Sequence, residues 1–233
     1  MKKPLLFWSI VVALGGFLFG FDTAVISGAE KSIQAYWQLS SFQHGVTMSV
    51  ALLGTVIGAA LGSLPSDKLG RKRTLIIIAF LFLISSAATA LATNWAMFLL
   101  FRFIGGFGVG ASSFTAPIYI SEISSAKNRG RLVALFQFNV VTGILISYLS
   151  NYIIGVAGGD HSWRLMLGIM VIPSLLFLVL LRFVPESPRW LILHNRNMDD
   201  AKNTLRIIDP GKYEEEIATI LKTNEENKHK PQE

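Results

Sequence analysis

Cysteine is absent from this chain of 233 residues, which excludes a disulfide framework and any thiolate nucleophile or metal ligand. Charge is scarce as well. Asp, Glu, Lys and Arg make up 15% of the residues, where soluble domains carry about 25%. With a mean hydropathy of +0.49, that scarcity excludes disorder, collagen and coiled coil. The 4 histidines, His44, His161, His194 and His229, lie far apart and form no pair at ligand spacing. What the chain has instead is apolar bulk: 52% hydrophobic residues, 16 Phe and 20 Gly. Glycine is commoner in membrane helices than in soluble ones, so the composition points to an integral membrane protein. A net charge of +6 suits nucleic acid or a membrane surface, and the position of the charges decides between them.

Six apolar stretches are long enough to cross a hydrocarbon core, which needs about 20 helical residues. They lie near Leu5–Ala29, Thr47–Leu64, Thr74–Ala92, Trp95–Tyr119, Leu132–Gly155 and Trp163–Val184. Their connections are short, so neighbouring spans are antiparallel. The runs are continuously apolar rather than alternating, which disfavours strands. Lys2 and Lys3 precede the first span, but its apolar stretch exceeds a signal-peptide core and no A-x-A cleavage site follows. That span is expected to stay in the protein.

One side of the membrane carries Lys2, Lys3, Lys68, Arg71, Lys72, Arg73, Lys127, Arg129, Arg131 and the whole tail; the other carries only Lys31 and Arg164. Basic residues near span ends favour the cytoplasm, so both termini are expected inside. This asymmetry accounts for the positive charge, and a nucleic-acid partner is not expected. Past Pro185-Glu186-Ser187-Pro188 the composition turns polar. Residues 1–185 form the predicted six-helix unit, 186–224 a cytoplasmic helical linker, and 225–233 a disordered tail. Within the linker, Tyr213, Ile217, Ile220 and Leu221 form an apolar stripe, the mark of an amphipathic helix resting on a surface.

Only Asp22 and Arg102 are ionisable and well inside a span. An intramembrane charge costs at least roughly 2.5–3.5 kcal/mol and is a functional candidate by default. Asp22 precedes the outer end of its span by the same number of residues as Arg102 follows the outer start of its own. At about 1.5 Å per residue, each sits roughly 10 Å below the outer surface. The two are therefore placed to meet, as a coupling site or as a static ion pair. Gln137 reads as a buried amide needing partners, either helix–helix glue or a solute contact. Gly54, Gly58 and Gly62, with Gly106 and Gly110, stack small residues on one helix face and predict close packing. The run Gly105–Gly110 is no nucleotide loop, because no strand precedes it.

Four ordered segments carry a resemblance. They are Gly15 through Gly28 in the first span, Asp67 through Lys72 after the second, Arg102 through Gly130 around the fourth, and Trp163-Arg164 with Pro185 through Leu191 around the sixth. Together they resemble the sugar porter family of the major facilitator superfamily, and in particular its bacterial proton-coupled sugar symporters. The resemblance implies an all-α membrane fold, six helices as 3+3 inverted repeats, one half of a twelve-helix carrier. It implies no enzyme activity and no cofactor beyond a proton as coupling ion. Asp22 matches the family's proton site and Arg102 its partner. Gln137 matches a glutamine that binds sugar hydroxyls, and Phe19 an aromatic residue lining the cavity. Asp67, Arg71, Glu122, Arg129, Glu186 and Arg189 match a cytoplasmic charge network that latches the two halves.

Three positions depart from the pattern: Phe21 stands where a tyrosine is common, Ser63 takes the slot of the loop motif's first glycine, and Ile144 replaces a second glutamine of some xylose carriers. The family's second half supplies most sugar contacts. The expected function is therefore proton–sugar symport by alternating access as half of a complete carrier. The partners expected are a sugar, the bilayer, and a separately encoded C-terminal half or a second copy of the chain. The alternatives are a truncated or split-gene product without transport of its own, or a facilitative carrier of another polyol.

Overall fold

A computed structural model describes residues 3–125, 128–159, 161–194 and 196–228. Lys2, Lys127 and the end of the predicted tail, 229–233, fall outside the described residues. The described chain is helical throughout: α1 (Lys3–Tyr36), α2 (Ser41–Leu61), α3 (Ser63–Leu69), α4 (Arg71–Ala90), α5 (Trp95–Glu122), α6 (Arg129–Ala157), α7 (Ser162–Gly168), α8 (Val171–Leu180), α9 (Pro188–Leu193), α10 (Met198–Ile208) and α11 (Tyr213–Lys228). Six of these stretches are long and apolar enough to span a membrane, the sixth being Ser162–Phe183, which joins α7, α8 and a short 3₁₀ turn.

Two differences from the hydropathy-based spans share one physical cause. The sixth span is broken at Ile169 and Met170, between α7 and α8. Pro173 lies within the first turn of α8, lacks an N–H, and clashes with the carbonyl four residues earlier, which is Ile169. The second span ends at Leu61 rather than Leu64, and a separate helix α3 carries the expected loop residues Asp67 and Lys68. Here Pro65 sits four residues after Leu61 and acts in the same way. Gly70 then turns the chain into α4 with a left-handed φ of 97°. The third difference is at the tail: α11 continues to Lys228, past the boundary expected at residue 224.

The packing follows a repeat. α1, α2 and α4 form one triplet; α5, α6 and α7–α8 form the other. The first helix of each triplet packs most extensively on the second helix of the other, α1 on α6 and α5 on α2. Glycines set both contacts, because helices in lipid associate by close packing rather than by hydrophobic exclusion from water. A methyl group on Gly20 would run into the backbone of Val140, and one on Gly143 into that of Phe17. On the other pair, Gly54 and Gly58 lie against Phe103 and Phe107, and Gly106 and Gly110 against Ala51 and Thr55. This reciprocity is the 3+3 inverted arrangement, and it places α1 and α5 at the centre of the bundle.

At the sides, α2 and α6 remain largely uncovered. Leu52, Leu53 and Val56 on α2 are exposed, as are Phe138, Val141 and Leu145 on α6. Beyond the bundle, α9 and α10 pack together, and Trp190, Leu191, Ala201 and Leu205 are buried there. On α11, Tyr213, Ile217 and Ile220 rest against the core while Leu221 stays exposed.

Candidate functional site

Asp22 on α1 and Arg102 on α5 meet at the seam between the triplets. The Arg102 Nη1 donates to Asp22 Oδ1 at 2.7 Å, and the side chains are 4% and 7% exposed for Arg102 and Asp22 respectively. Arg102 Nη2 reaches toward the Asp22 backbone carbonyl at 3.5 Å, while its Nε is buried and has no hydrogen-bond partner among the described residues. Next to the pair, Gly105 makes room for Ser85: an added methyl would collide with Ser85 Oγ while only touching Asp22 Oδ1 at 3.8 Å. That serine is itself fixed, donating to the Phe101 carbonyl at 2.6 Å. The arrangement joins α1 of one repeat to α5 of the other through a charge-assisted contact, the kind that is strong when both groups are ionised and weak when one is not.

Phe19 lies on α1 in the turn preceding Asp22 and is partly buried against the core. Thr23, exposed beside it, donates its hydroxyl to the Phe19 carbonyl at 2.9 Å. Gln137 corrects an expectation: it is exposed on α6, not buried. α6 turns Phe136 and Val140 toward α1, which points Gln137 off that contact and removes its role as helix–helix glue. Phe19 and Gln137 thus stand on two helices that pack directly on each other.

A second cluster closes the basic end of the bundle. Arg71, at the start of α4, bridges Asp67 Oδ1 at 3.2 Å and Glu122 Oε2 at 3.1 Å. Glu122 also accepts from Ser187 Oγ at 2.6 Å. Glu186 accepts from the backbone N–H groups of Lys72 and Ser187, at 2.9 and 2.8 Å. The glycine at position 70 is required twice over, by its positive φ and because a methyl there would strike the Glu186 carboxylate. Of the six network residues expected from sequence, four are joined in this way. Arg129 and Arg189 are exposed and make no ion pair among the described residues.

Sequence reasoning missed Ser187, Trp190 and Tyr119. Ser187 caps α9 by accepting from the Trp190 N–H at 3.2 Å, Trp190 donates to the Asp67 carbonyl at 2.7 Å, and Tyr119 donates to the Pro185 carbonyl at 2.8 Å. The Ser-Pro pair before α9 was an available cap signal; contacts to backbone carbonyls leave no trace in a sequence.

The family model for "Sugar (and other) transporter" matches residues 8–233. The chain belongs to the sugar porter family of the major facilitator superfamily. Its relatives include the glucose transporter GlcP of Staphylococcus epidermidis, 40% identical over 96% of this chain and 49% of that protein. The arabinose-proton symporter of Escherichia coli is 37% identical over 89% of this chain and 43% of its own length. Among solved structures, the proton:xylose symporter XylE bound to 6-bromo-6-deoxy-D-glucose matches with a TM-score of 0.92 and 35% identity, over 96% of this chain and 54% of that one. A partially occluded inward-open form of XylE from E. coli matches at the same TM-score of 0.92. This sugar porter chain spans about half the length of the curated relatives it matches. The family's relatives and structural neighbours are transporters, not enzymes, and the chain is a multi-pass membrane protein.

Proposed function

We propose that this chain is the N-terminal body of a proton-coupled sugar symporter. It sits in the inner membrane with both termini in the cytoplasm, and works by alternating access against a second six-helix body. The observation that carries this is the buried Asp22–Arg102 pair at 2.7 Å, because it offers one titratable group on the seam between two repeats. A proton arriving at Asp22 neutralises the carboxylate and loosens its hold on Arg102. Sugar then binds between the bodies, with Gln137 offering its amide to hydroxyls and Phe19 its ring to an apolar sugar face. Closure over the sugar, followed by opening to the cytoplasm, releases sugar and proton together. No bond in the substrate changes.

Two further observations support a two-body carrier. The sugar-bound and the partially occluded inward-open forms of XylE both match this half at a TM-score of 0.92, and the inward-open form at 0.85, as expected if the half keeps its fold in each state. Exposed apolar residues on α2 and α6 supply a face for the second body. The network of Asp67, Arg71, Glu122, Arg129, Glu186 and Arg189 lies at the end where the two bodies are latched in the outward-facing state.

The test is uptake of labelled sugars into liposomes under an imposed inward proton gradient. The chain co-reconstituted with a C-terminal half from a matching carrier is expected to accumulate sugar, and the chain alone is not. Accumulation by the chain alone, with no dimer captured by crosslinking, would contradict the proposal. Accumulation that tracks a crosslinked dimer would assign the second body to another copy of the chain.

A further inference from the structure

Between the basic end of the bundle and the linker helices lies a cleft of about 690 Å³, apart from the Asp22–Arg102 pair and from Phe19 and Gln137, with Glu186 the one residue it shares with the latch network. Its walls come from three parts of the chain: Trp8 on α1; Lys72, Arg73 and Ile76 on α4; and Trp190 with Arg196, Asn203 and Thr204 from α9 to α10. Lys72 Nζ donates to the Arg182 carbonyl at 3.3 Å, which leaves two of its donors for another partner. Neither Arg73 nor Arg196 forms an ion pair among the described residues. Two carboxylates also line the cleft, Glu186 and Asp200. Both are engaged locally: Glu186 accepts two backbone N–H groups, and Asp200 accepts from Asn197 at the start of α10. Three cations against two occupied acids leave the cleft with donors to spare.

We infer that this cleft binds the phosphate headgroup of an anionic phospholipid. Guanidinium and ammonium groups supply charge-assisted hydrogen bonds to a phosphodiester, and Asn203 and Thr204 add neutral donors. A lipid is favoured over a soluble phosphate because two walls are membrane spans. Trp8, an indole suited to the interface, and Ile76 lead onto exposed Phe7, Ile10, Ile77 and Phe80 of the same helices, which offer a track for acyl chains. The basic connections gather at this end of the bundle, the end that the distribution of Lys and Arg assigns to the anionic cytoplasmic leaflet. A bound headgroup ties α1 and α4 to the linker helices.

The experiment uses the full chain in dodecyl maltoside micelles doped with dioleoyl phosphatidylglycerol or dioleoyl phosphatidylcholine, with retained lipid counted by native mass spectrometry. Phosphatidylglycerol is expected to be retained in preference to phosphatidylcholine. Arg196→Gln, outside any helix and exposed, should weaken that retention about fivefold, and Lys72→Gln with Arg196→Gln about 25-fold. Lys222→Gln on α11, 79% exposed, should leave it unchanged. A component of the tryptophan quenching by brominated phosphatidylglycerol is expected to disappear in Trp8→Phe and a second in Trp190→Phe, which places the lipid without relying on the cation variants. Equal retention by wild type and Arg196→Gln, or no preference between the two lipids, overturns the site. Displacement of the lipid by millimolar inorganic phosphate overturns the assignment to a lipid.

Discussion

A carboxylate and a guanidinium sealed at 2.7 Å inside a bundle hold each other's charge, and removing one partner leaves the other stranded. Arg102→Leu is therefore expected to cost about 3–5 kcal/mol, read as a lowered thermal midpoint in detergent. The double variant Asp22→Asn with Arg102→Leu should recover much of that loss, because no charge is then unpaired. An equal loss in both variants would mean that Arg102 acts through its packing alone. The pair was legible in the sequence, since two charges at matched depths in otherwise apolar spans have few alternatives. Gln137 was legible as a candidate but its exposure was not. α6 carries polar residues on its buried face, Ser147 and Asn151, as well as on its exposed one, so periodicity does not say which face meets α1. The contacts of Trp190 and Tyr119 were invisible because each ends on a backbone carbonyl.

At the scale of the element, glycine at the crossings decides how closely helices approach. Gly20→Val pushes into the Val140 backbone and should cost about 1–3 kcal/mol as overpacking. Gly45→Ala, at an exposed helical position on α2 with nothing within 4 Å among the described residues, should instead stabilise by about 0.4–1 kcal/mol through helix propensity. Thermal melts of the two variants side by side check the difference. Hydropathy made the six spans legible, because length and apolarity are summed over many residues. The breaks before Pro65 and Pro173 were not foreseen, since a short apolar helix and half of a broken one have the same composition. On α11, burial pushes the Glu216 carboxyl above its ordinary value, Asp209 adds to this, and Arg129 opposes it. A carboxyl raised in the folded state favours folding at low pH, and that contribution is lost as pH rises through its titration. Glu216→Gln should therefore stabilise α11 docking slightly at neutral pH and flatten that fall, as followed by melts between pH 4 and 8.

For the whole molecule, the concentration of Lys and Arg on one set of connections sets orientation. Single cysteines at Ser41, Ser125 and Ser162, introduced into a chain that has none, should report it. Ser41→Cys and Ser162→Cys are expected to react with an impermeant maleimide in intact cells, and Ser125→Cys only after the membrane is opened. Labelling of Ser125→Cys from outside would reverse the topology. Coupling is likewise a property of the whole, because a proton can shift an equilibrium between two states only if it binds them unequally. The most direct measurement is proton flux accompanying sugar entry in liposomes holding this chain with a matching C-terminal half, compared between wild type and Asp22→Asn. The wild type should carry protons inward with sugar. Asp22→Asn keeps the size and hydrogen bonding of the residue, so it should still bind and exchange sugar, but with no proton flux and no accumulation. Unaltered proton–sugar coupling in Asp22→Asn would contradict the account and leave Asp22 as no more than the structural partner of Arg102.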